Sequence, residues 1–325
     1  MVEKPTLVWL DCDMEYDDAM ELILGYYNPK IKFLGISTVH GVVSAEKSAV
    51  YALQVMELAG IEGLEVVKGA TESICRPPRV WEDFHGTSAI DWAGLPPPTG
   101  KKTILKENAI LYMFNTIMAQ KDQKVALVGT AQYTNIALLL KCFPEVKSHI
   151  DQIVVIGGAY GLGNVNAASE FNVDGDPEAA KILMESGLKM VMIPLDVTTK
   201  IAVTDDILKE LKSWGTGFGE YCIKLLTFFK TVYAREVTNV HDPLTIAYLI
   251  SPDILKTELM YVEVECGSKC CDGRTNCDLK HRSKKPKNVH LALDVDASRF
   301  WKMMLDSLAI ANKKWKVLNE PKKSS

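Results

Sequence analysis

An apolar run from Thr6 to Leu10 breaks off into five carboxylates: Asp11, Asp13, Glu15, Asp17 and Asp18. The run has the length of a buried strand. Asp17-Asp18-Ala-Met-Glu-Leu-Ile-Leu then reads as a helix that opens in acid. The carboxylates therefore occupy a strand-to-helix turn at the C-terminal end of the strand, where open α/β sheets bind ligands. Asp11 and Asp13 are two apart and share a face if the strand continues. Asp17 and Asp18 fall at a helix N-terminus, whose dipole stabilises a negative charge by only about 0.3–1 kcal/mol. That is too little to offset so many acids in one turn. A hard divalent cation, which takes carboxylate oxygens as ligands, would offset them; a solvated helix cap needs one acid rather than five.

The remaining chain alternates strands and helices. Strands are expected at 31–39, 64–68, 124–129, 152–158 and 189–195, with helices at 44–58, 106–120 and 131–141 and one opening at Asp176-Pro177. Helical segments follow over 205–235, broken near Gly215, and over 242–249. Strands at 258–265 and 288–293 flank a cysteine- and lysine-rich tip, and a helix over 297–312 precedes a tail. Two stretches, 69–102 and 159–175, read as loops. Such alternation implies an α/β fold with an open, mostly parallel, doubly wound (Rossmann-like) sheet. No linker or repeat interrupts it, so residues 1–325 are expected to form a single domain.

A net charge of -4 gives no reason to expect nucleic acid or an anionic membrane as partner. The first strand begins almost at once, without a basic-then-apolar leader, and no apolar run is long enough to span a bilayer. The expected location is cytoplasmic. Cys266, Cys270, Cys271 and Cys277 do not form the paired units of a zinc site and are expected to be reduced thiols. The basic run from Lys280 to Lys287 reads as a solvated hairpin tip.

Three later stretches fall at strand ends or helix starts. Leu127-Val-Gly-Thr130 is the first. The second, Gly157 to Glu178, includes Asn164, Glu170, Phe171 and Asn172, amides and a carboxylate suited to sugar hydroxyls. The third, Asn239-Val-His241-Asp242-Pro243, pairs a histidine with an acid. Asp11-x-Asp13-x-x-x-Asp17-Asp18-Ala resembles the opening signature of the nucleoside hydrolases of the inosine–uridine-preferring type. Gly163-Asn164-Val, Glu170-Phe171-Asn172, Asp176-Pro177-Glu178 and His241-Asp242-Pro243-Leu are similar to later motifs of that family, in the same order. The stretch from Asn288 to Trp301 resembles its C-terminal element.

The resemblance implies hydrolysis of the N-glycosidic bond of ribonucleosides by a Ca²⁺-dependent homo-oligomer. Asp13, Asp18, Asp242 and the Thr130 carbonyl would hold the metal. Asp13 would also be the general base and His241 the acid at the leaving base. Asp17, Asn164, Glu170 and Asn172 would bind the ribose, Phe171 with Phe228 and Phe229 would add apolar walls, and His85 would lie near the site. Trp81 and Trp92 are candidates to stack a purine, since aromatic–base stacking contributes about 1–3 kcal/mol. The expected substrate is accordingly purine-leaning, inosine or guanosine.

This chain departs from the pattern in three places. Met14-Glu15 replaces the usual Pro-Gly, so strain or a different path is expected at Glu15. Val42 replaces an asparagine, leaving His40 as its possible substitute. Ile156 replaces a methionine. Two other readings compete: a Mg²⁺-dependent phosphatase of the haloacid-dehalogenase type, with Asp11 as nucleophile, and a nucleoside-binding protein without catalysis.

Overall fold

The computed structural model describes residues 4–77 and 88–319. The strands are β1 (Thr6–Cys12), β2 (Ile31–Thr38), β3 (Val66–Lys68), β4 (Val125–Gly129), β5 (Ile150–Ile156), β6 (Met190–Ile193), β7 (Leu255–Met260), β8 (Val262–Val264), β9 (Thr275–Cys277) and β10 (Val289–Val295). Eight of them form one sheet in the order β3-β2-β1-β4-β5-β6-β10-β7. All its pairs are parallel except β10 with β7. β8 and β9 make a separate antiparallel ribbon.

Side chains of β1 alternate between the two faces, as a strand requires. Val8, Leu10 and Cys12 join one core with α1 (Tyr16–Tyr26), α2 (Ala45–Ala59) and the helices Gly217–Val232, Pro243–Ile250 and Ala297–Asn319. Leu7 and Trp9 join the other, with the helices Ala109–Met118, Thr134–Cys142 and Pro177–Met184 and the β8–β9 ribbon. The strand order reverses between β1 and β4, which makes their C-terminal ends the crevice of the sheet. Asp11 pairs with Gly129 at that point, and the Thr130 amide donates to the Asp11 carbonyl at 3.0 Å.

Several expected boundaries move. The loop expected over 69–102 contains a five-residue helix, Ala89–Ala93, capped by Ser88, whose Oγ accepts from the Asp91 amide. The loop expected over 159–175 ends in the helix Phe171–Gly175. Both helices are too short to show periodicity. The strand expected over 258–265 divides at Tyr261, so that β7 enters the main sheet while β8 leaves it. The last helix continues to Asn319. Among the described residues no helix is long and apolar enough to cross a membrane.

Candidate active site

β1 ends at Cys12, and the chain turns sharply at Met14. Met14 has φ 41°, in the left-handed region, with its side chain fully buried. A non-glycine residue there costs on the order of 1–3 kcal/mol. The strain expected at Glu15 thus falls one residue earlier. Glu15 is ordinary extended backbone and the N-cap of α1.

The turn separates Asp11 from Asp13. Asp11 Oδ1 accepts from Ser37 Oγ at 2.5 Å and Asn135 Nδ2 at 2.7 Å, while its Oδ2 has no partner among the described residues. Asp13 Oδ2 accepts the Val42 amide at 2.5 Å. A Cβ on Gly41 would stand 2.0 Å from that oxygen, so only glycine permits the approach. The residue that replaces the usual asparagine therefore still contacts the site, through its backbone. His40 does not substitute for it: the ring is buried beside Thr134 and Asp176.

Asp18 is fully buried. Its Oδ2 accepts the Glu15 amide and its Oδ1 the Thr130 hydroxyl, both at 2.7 Å. Asp242 arrives from the start of helix Pro243–Ile250. Carboxylate oxygens of Asp17, Asp18 and Asp242 lie within 4.8 Å of one another. This trio differs from the expected metal set: Asp17 takes part, and Asp13 lies outside the cluster while acting electrostatically on Asp18. The Thr130 carbonyl accepts from Asn172 Nδ2 at 2.9 Å. No cysteine joins a metal-compatible group among the described residues.

Burial dominates the electrostatics. It raises the carboxyls of Asp18 and Asp242 well above the usual range, and neighbouring acids add to the effect. Burial also pushes Asp13 up to about 7, against the Val42 hydrogen bond and together with Asp17. Asp11 likewise rises to about 7. A buried set of oxygen donors with no ammonium or guanidinium among its described neighbours fits a hard divalent cation.

The expected sugar-binding residues are brought to the same end of the sheet, but much of their hydrogen-bonding capacity is internal. Glu170 caps the helix Phe171–Gly175: Oε1 takes the Asn172 amide, and Oε2 the Gly158 and Val173 amides. Burial nevertheless pushes its carboxyl up to about 7. Asn172 Nδ2 clasps the carbonyls of Thr130 and Ile156. The exposed Asn164 accepts the Phe171 amide through Oδ1 at 2.9 Å, and Phe171 is half-buried.

The His241 amide donates to Asp17 Oδ2 at 3.3 Å, and its Nδ1 lies 2.7 Å from Thr198 Oγ1. Nε2 has no hydrogen-bond partner among the described residues. Burial lowers the ring's pKa, partly countered by Asp17. Trp92 packs on Phe228 at 5.8 Å between ring centroids. Phe228 meets Phe229, and Phe229 meets Tyr16, so an aromatic wall runs back to the acidic turn. Trp81, His85 and the tail after Asn319 lie outside the described residues.

Some groups at the site escape a reading of motifs. Glu21 is fully buried and accepts from Thr245 Oγ1, which also donates to the Asp242 carbonyl. Helical spacing is its signal: Glu21 follows Asp17 by four and Asp18 by three, and Thr245 follows Asp242 by three. Ser37, Asn135 and Thr198, which orient Asp11 and His241, carry no such signal because they come from elements distant in sequence: β2 and the helices Thr134–Cys142 and Leu195–Thr198.

The family model for inosine-uridine preferring nucleoside hydrolases matches residues 8–302. A probable ribonucleoside hydrolase of Dictyostelium discoideum is 38% identical, over 93% of this chain and 94% of that protein. The pyrimidine-specific ribonucleoside hydrolase RihB of Escherichia coli O157:H7 is 34% identical, over 92% and 96% respectively. The solved structure of a purine-preferring ribonucleoside hydrolase from Gardnerella vaginalis superposes with a TM-score of 0.85 at 28% identity, covering 95% of this chain and all of that one.

Proposed function

Since the chain belongs to the inosine-uridine preferring nucleoside hydrolase family and is a ribonucleoside hydrolase, we propose that it forms one catalytic domain that releases free base and ribose from purine-leaning nucleosides, inosine or guanosine, with Ca²⁺ as cofactor. The observation that carries the cofactor reading is the buried, all-oxygen cluster of Asp17, Asp18 and Asp242. Asp18, Asp242 and the Thr130 carbonyl would hold the ion, with Asp13 or Asp17 completing the set. Bound there, Ca²⁺ would orient the attacking water and lower its pKa.

Asp13 acts as the general base. Its Oδ2 is fixed by the Val42 amide, which orients the carboxylate to accept a proton from water. As water oxygen bonds to the anomeric carbon, the bond to the base nitrogen breaks and a water proton passes to Asp13. Positive charge develops on the ribose ring, as in other glycosidic cleavages, and the surrounding carboxylates favour it. His241 supplies the proton that the departing base needs, from Nε2. Asp17 holds a ribose hydroxyl, with Asn164, Glu170, Phe171 and Asn172 around the sugar.

Support for a purine comes from the run of Trp92, Phe228, Phe229 and Tyr16, an aromatic series that reaches the acidic turn at Tyr16. Relatives of both preferences exist, so the wall rather than kinship carries this part. The enzyme is read as a cytoplasmic homo-oligomer, in keeping with the family resemblance. Family membership removes the phosphatase alternative. A reducing-sugar assay on inosine, guanosine, adenosine, uridine and cytidine tests the reading. Ribose release from inosine or guanosine well above that from uridine is expected. Preference for uridine and cytidine would overturn the purine assignment, and no release from any of the five would support a binding protein without catalysis.

A further inference from the structure

We infer that Glu15 is a positioning residue, a strut from the carboxylate turn to the helix Ala89–Ala93 that sets how the aromatic wall meets the substrate. The inference rests on the nucleoside-hydrolase reading of the site and goes beyond it to a residue which stands where the family pattern has glycine.

Glu15 is 4% exposed and stays within electrostatic reach of Asp13 and Asp17. Its Oε2 accepts the Ala89 amide at 3.0 Å, across a sequence separation of 74. Ala89 is the first residue of this helix, which is also tied through Lys47 to Asp91 at 2.7 Å and through Lys224 to the Ala93 carbonyl at 3.2 Å. The Ser88 hydroxyl caps Asp91 and meets Tyr51 at 2.7 Å, and among the described residues no other partner is seen for the Ala89 amide. Three residues on, Trp92 packs on Phe228. Phe228 packs on Phe229 at 5.2 Å, and Phe229 on Tyr16 at 5.4 Å. Tyr16 adjoins Glu15 in sequence and donates to the Asn239 carbonyl at 2.6 Å, two residues before His241.

The contacts close a ring: Glu15, Ala89, Trp92, Phe228, Phe229, Tyr16 and back to Glu15. The aromatic side of the ring alone tolerates sliding, because edge-to-face and tilted ring pairs have broad minima. The hydrogen bond does not, because an N–H···O contact weakens steeply away from its geometry. Glu15 is thus the directional element in the ring. Glycine at this position has no side chain and offers the Ala89 amide nothing. An alanine here would leave the Ala89 amide buried without an acceptor, which is more costly than never having had the pair.

The strut acts on ground-state and transition-state binding alike, because it places a wall and not a reacting group. Its loss is expected to raise KM with little change in kcat. Steady-state kinetics on inosine, with amide hydrogen exchange across 88–93, test this on the intact, Ca²⁺-loaded protein. For Glu15→Ala we expect KM to rise about tenfold, kcat to stay within about threefold, and exchange at Ala89 to accelerate. Glu15→Gln keeps an oxygen for the Ala89 amide and is expected to restore both readouts. An unchanged KM in Glu15→Ala would overturn the proposal. So would a loss confined to kcat, or a failure of Glu15→Gln to rescue when the variant is folded and metal-loaded. If the wild-type protein releases no ribose, the nucleoside reading fails by itself. Accelerated Ala89 exchange in Glu15→Ala, restored in Glu15→Gln, would then still uphold the strut, and unchanged exchange would overturn it.

Discussion

Two populations of carboxylates in this molecule behave in opposite ways. At the C-terminal ends of β1 and β4, the acids from Asp11 to Glu21 and Asp242 are buried, and no Lys or Arg pairs with them among the described residues. Burial raises most of them. On the periphery, Glu178 and Asp272 meet Arg76, Asp253 meets Arg299, Glu263 meets Lys285 and Asp294 meets Lys200. There the cation holds Glu178, Asp253, Glu263 and Asp294 below their usual range. The same side-chain chemistry is self-sufficient in one region and incomplete in the other. A buried anion with no counterion is either protonated or awaits a cation, so the contrast itself argues for a metal at the first site and none at the second.

The largest effect should come from Asp13→Asn. The amide cannot accept the water proton, and kcat should fall by about 10²–10⁴ while circular dichroism stays native. Metal content must be measured in parallel. Near-normal turnover would remove Asp13 from its role. Asp253→Asn, in the other population, should leave kcat untouched.

Chelation sharpens the same contrast. Removing Ca²⁺ should abolish ribose release and lower the melting temperature, since a ligand at a thousand times its Kd stabilises the folded state by about 4 kcal/mol. Re-addition of Ca²⁺ should restore both. A melting temperature indifferent to chelator would show that the cluster tolerates its charge by protonation alone.

The buried and surface acids should also give stability slopes of opposite sign with pH. Glu170 has its carboxyl raised from 4.5 to about 7 by burial. Below pH 4.5 it is protonated whether folded or unfolded and contributes no pH dependence. Between about 4.5 and 7 the unfolded chain ionises more readily, so stability falls as pH rises. Glu178 and Glu263, held down by cations, stabilise above their unfolded pKa and lose that contribution as pH falls. Urea unfolding of metal-free protein across this range should show a decline, and Glu170→Gln should remove on the order of 3 kcal/mol of it. A variant with the wild-type slope would show that the three backbone amides on Glu170 already neutralise the penalty.

How far the sequence discloses this contrast depends on the distance over which each contact forms. The acidic turn, the alternation of β1 and the helix starts at Asp176 and Asp242 are local patterns, so the sheet and the chemical end of it are readable from them. That Asp18 and Asp242 meet is readable only through family resemblance, because Asp242 lies more than two hundred residues away, and the resemblance joins Asp13 to them where the structure clusters Asp17. Strain or a different path is expected at Glu15, and the left-handed residue is Met14, since nothing in residue type says which of two non-glycine neighbours will bend. The motif places Glu170 and Asn172 at the sugar, and the structure adds what a motif does not show: Glu170 already accepts three backbone amides, and Asn172 clasps the Thr130 and Ile156 carbonyls. The contact of Glu15 with Ala89 leaves no periodic trace at all.

The smallest expected effect tests the peripheral population directly. Arg76 donates to Glu178 through Nε and Nη2 at 2.8 and 2.7 Å and also pairs with Asp272. It thereby joins the segment after β3, the helix Pro177–Met184 and the turn before β9. Its side chain is 24% exposed and those of its partners 27% and 32%, so water and salt screen the network. Pairs of this kind typically contribute about 1 kcal/mol or less. Arg76→Ala should lower stability by about that amount, and the loss should shrink in high salt. Its turnover should stay near wild type, because the Thr275 hydroxyl independently holds the β8–β9 ribbon to the Ala159 amide and carbonyl at 2.9 and 2.7 Å. A fall in kcat as large as that of a buried acid would mean that the ribbon transmits to Glu170 through Gly158, whose Cβ position is already closed off by Thr275. The two populations would then be coupled.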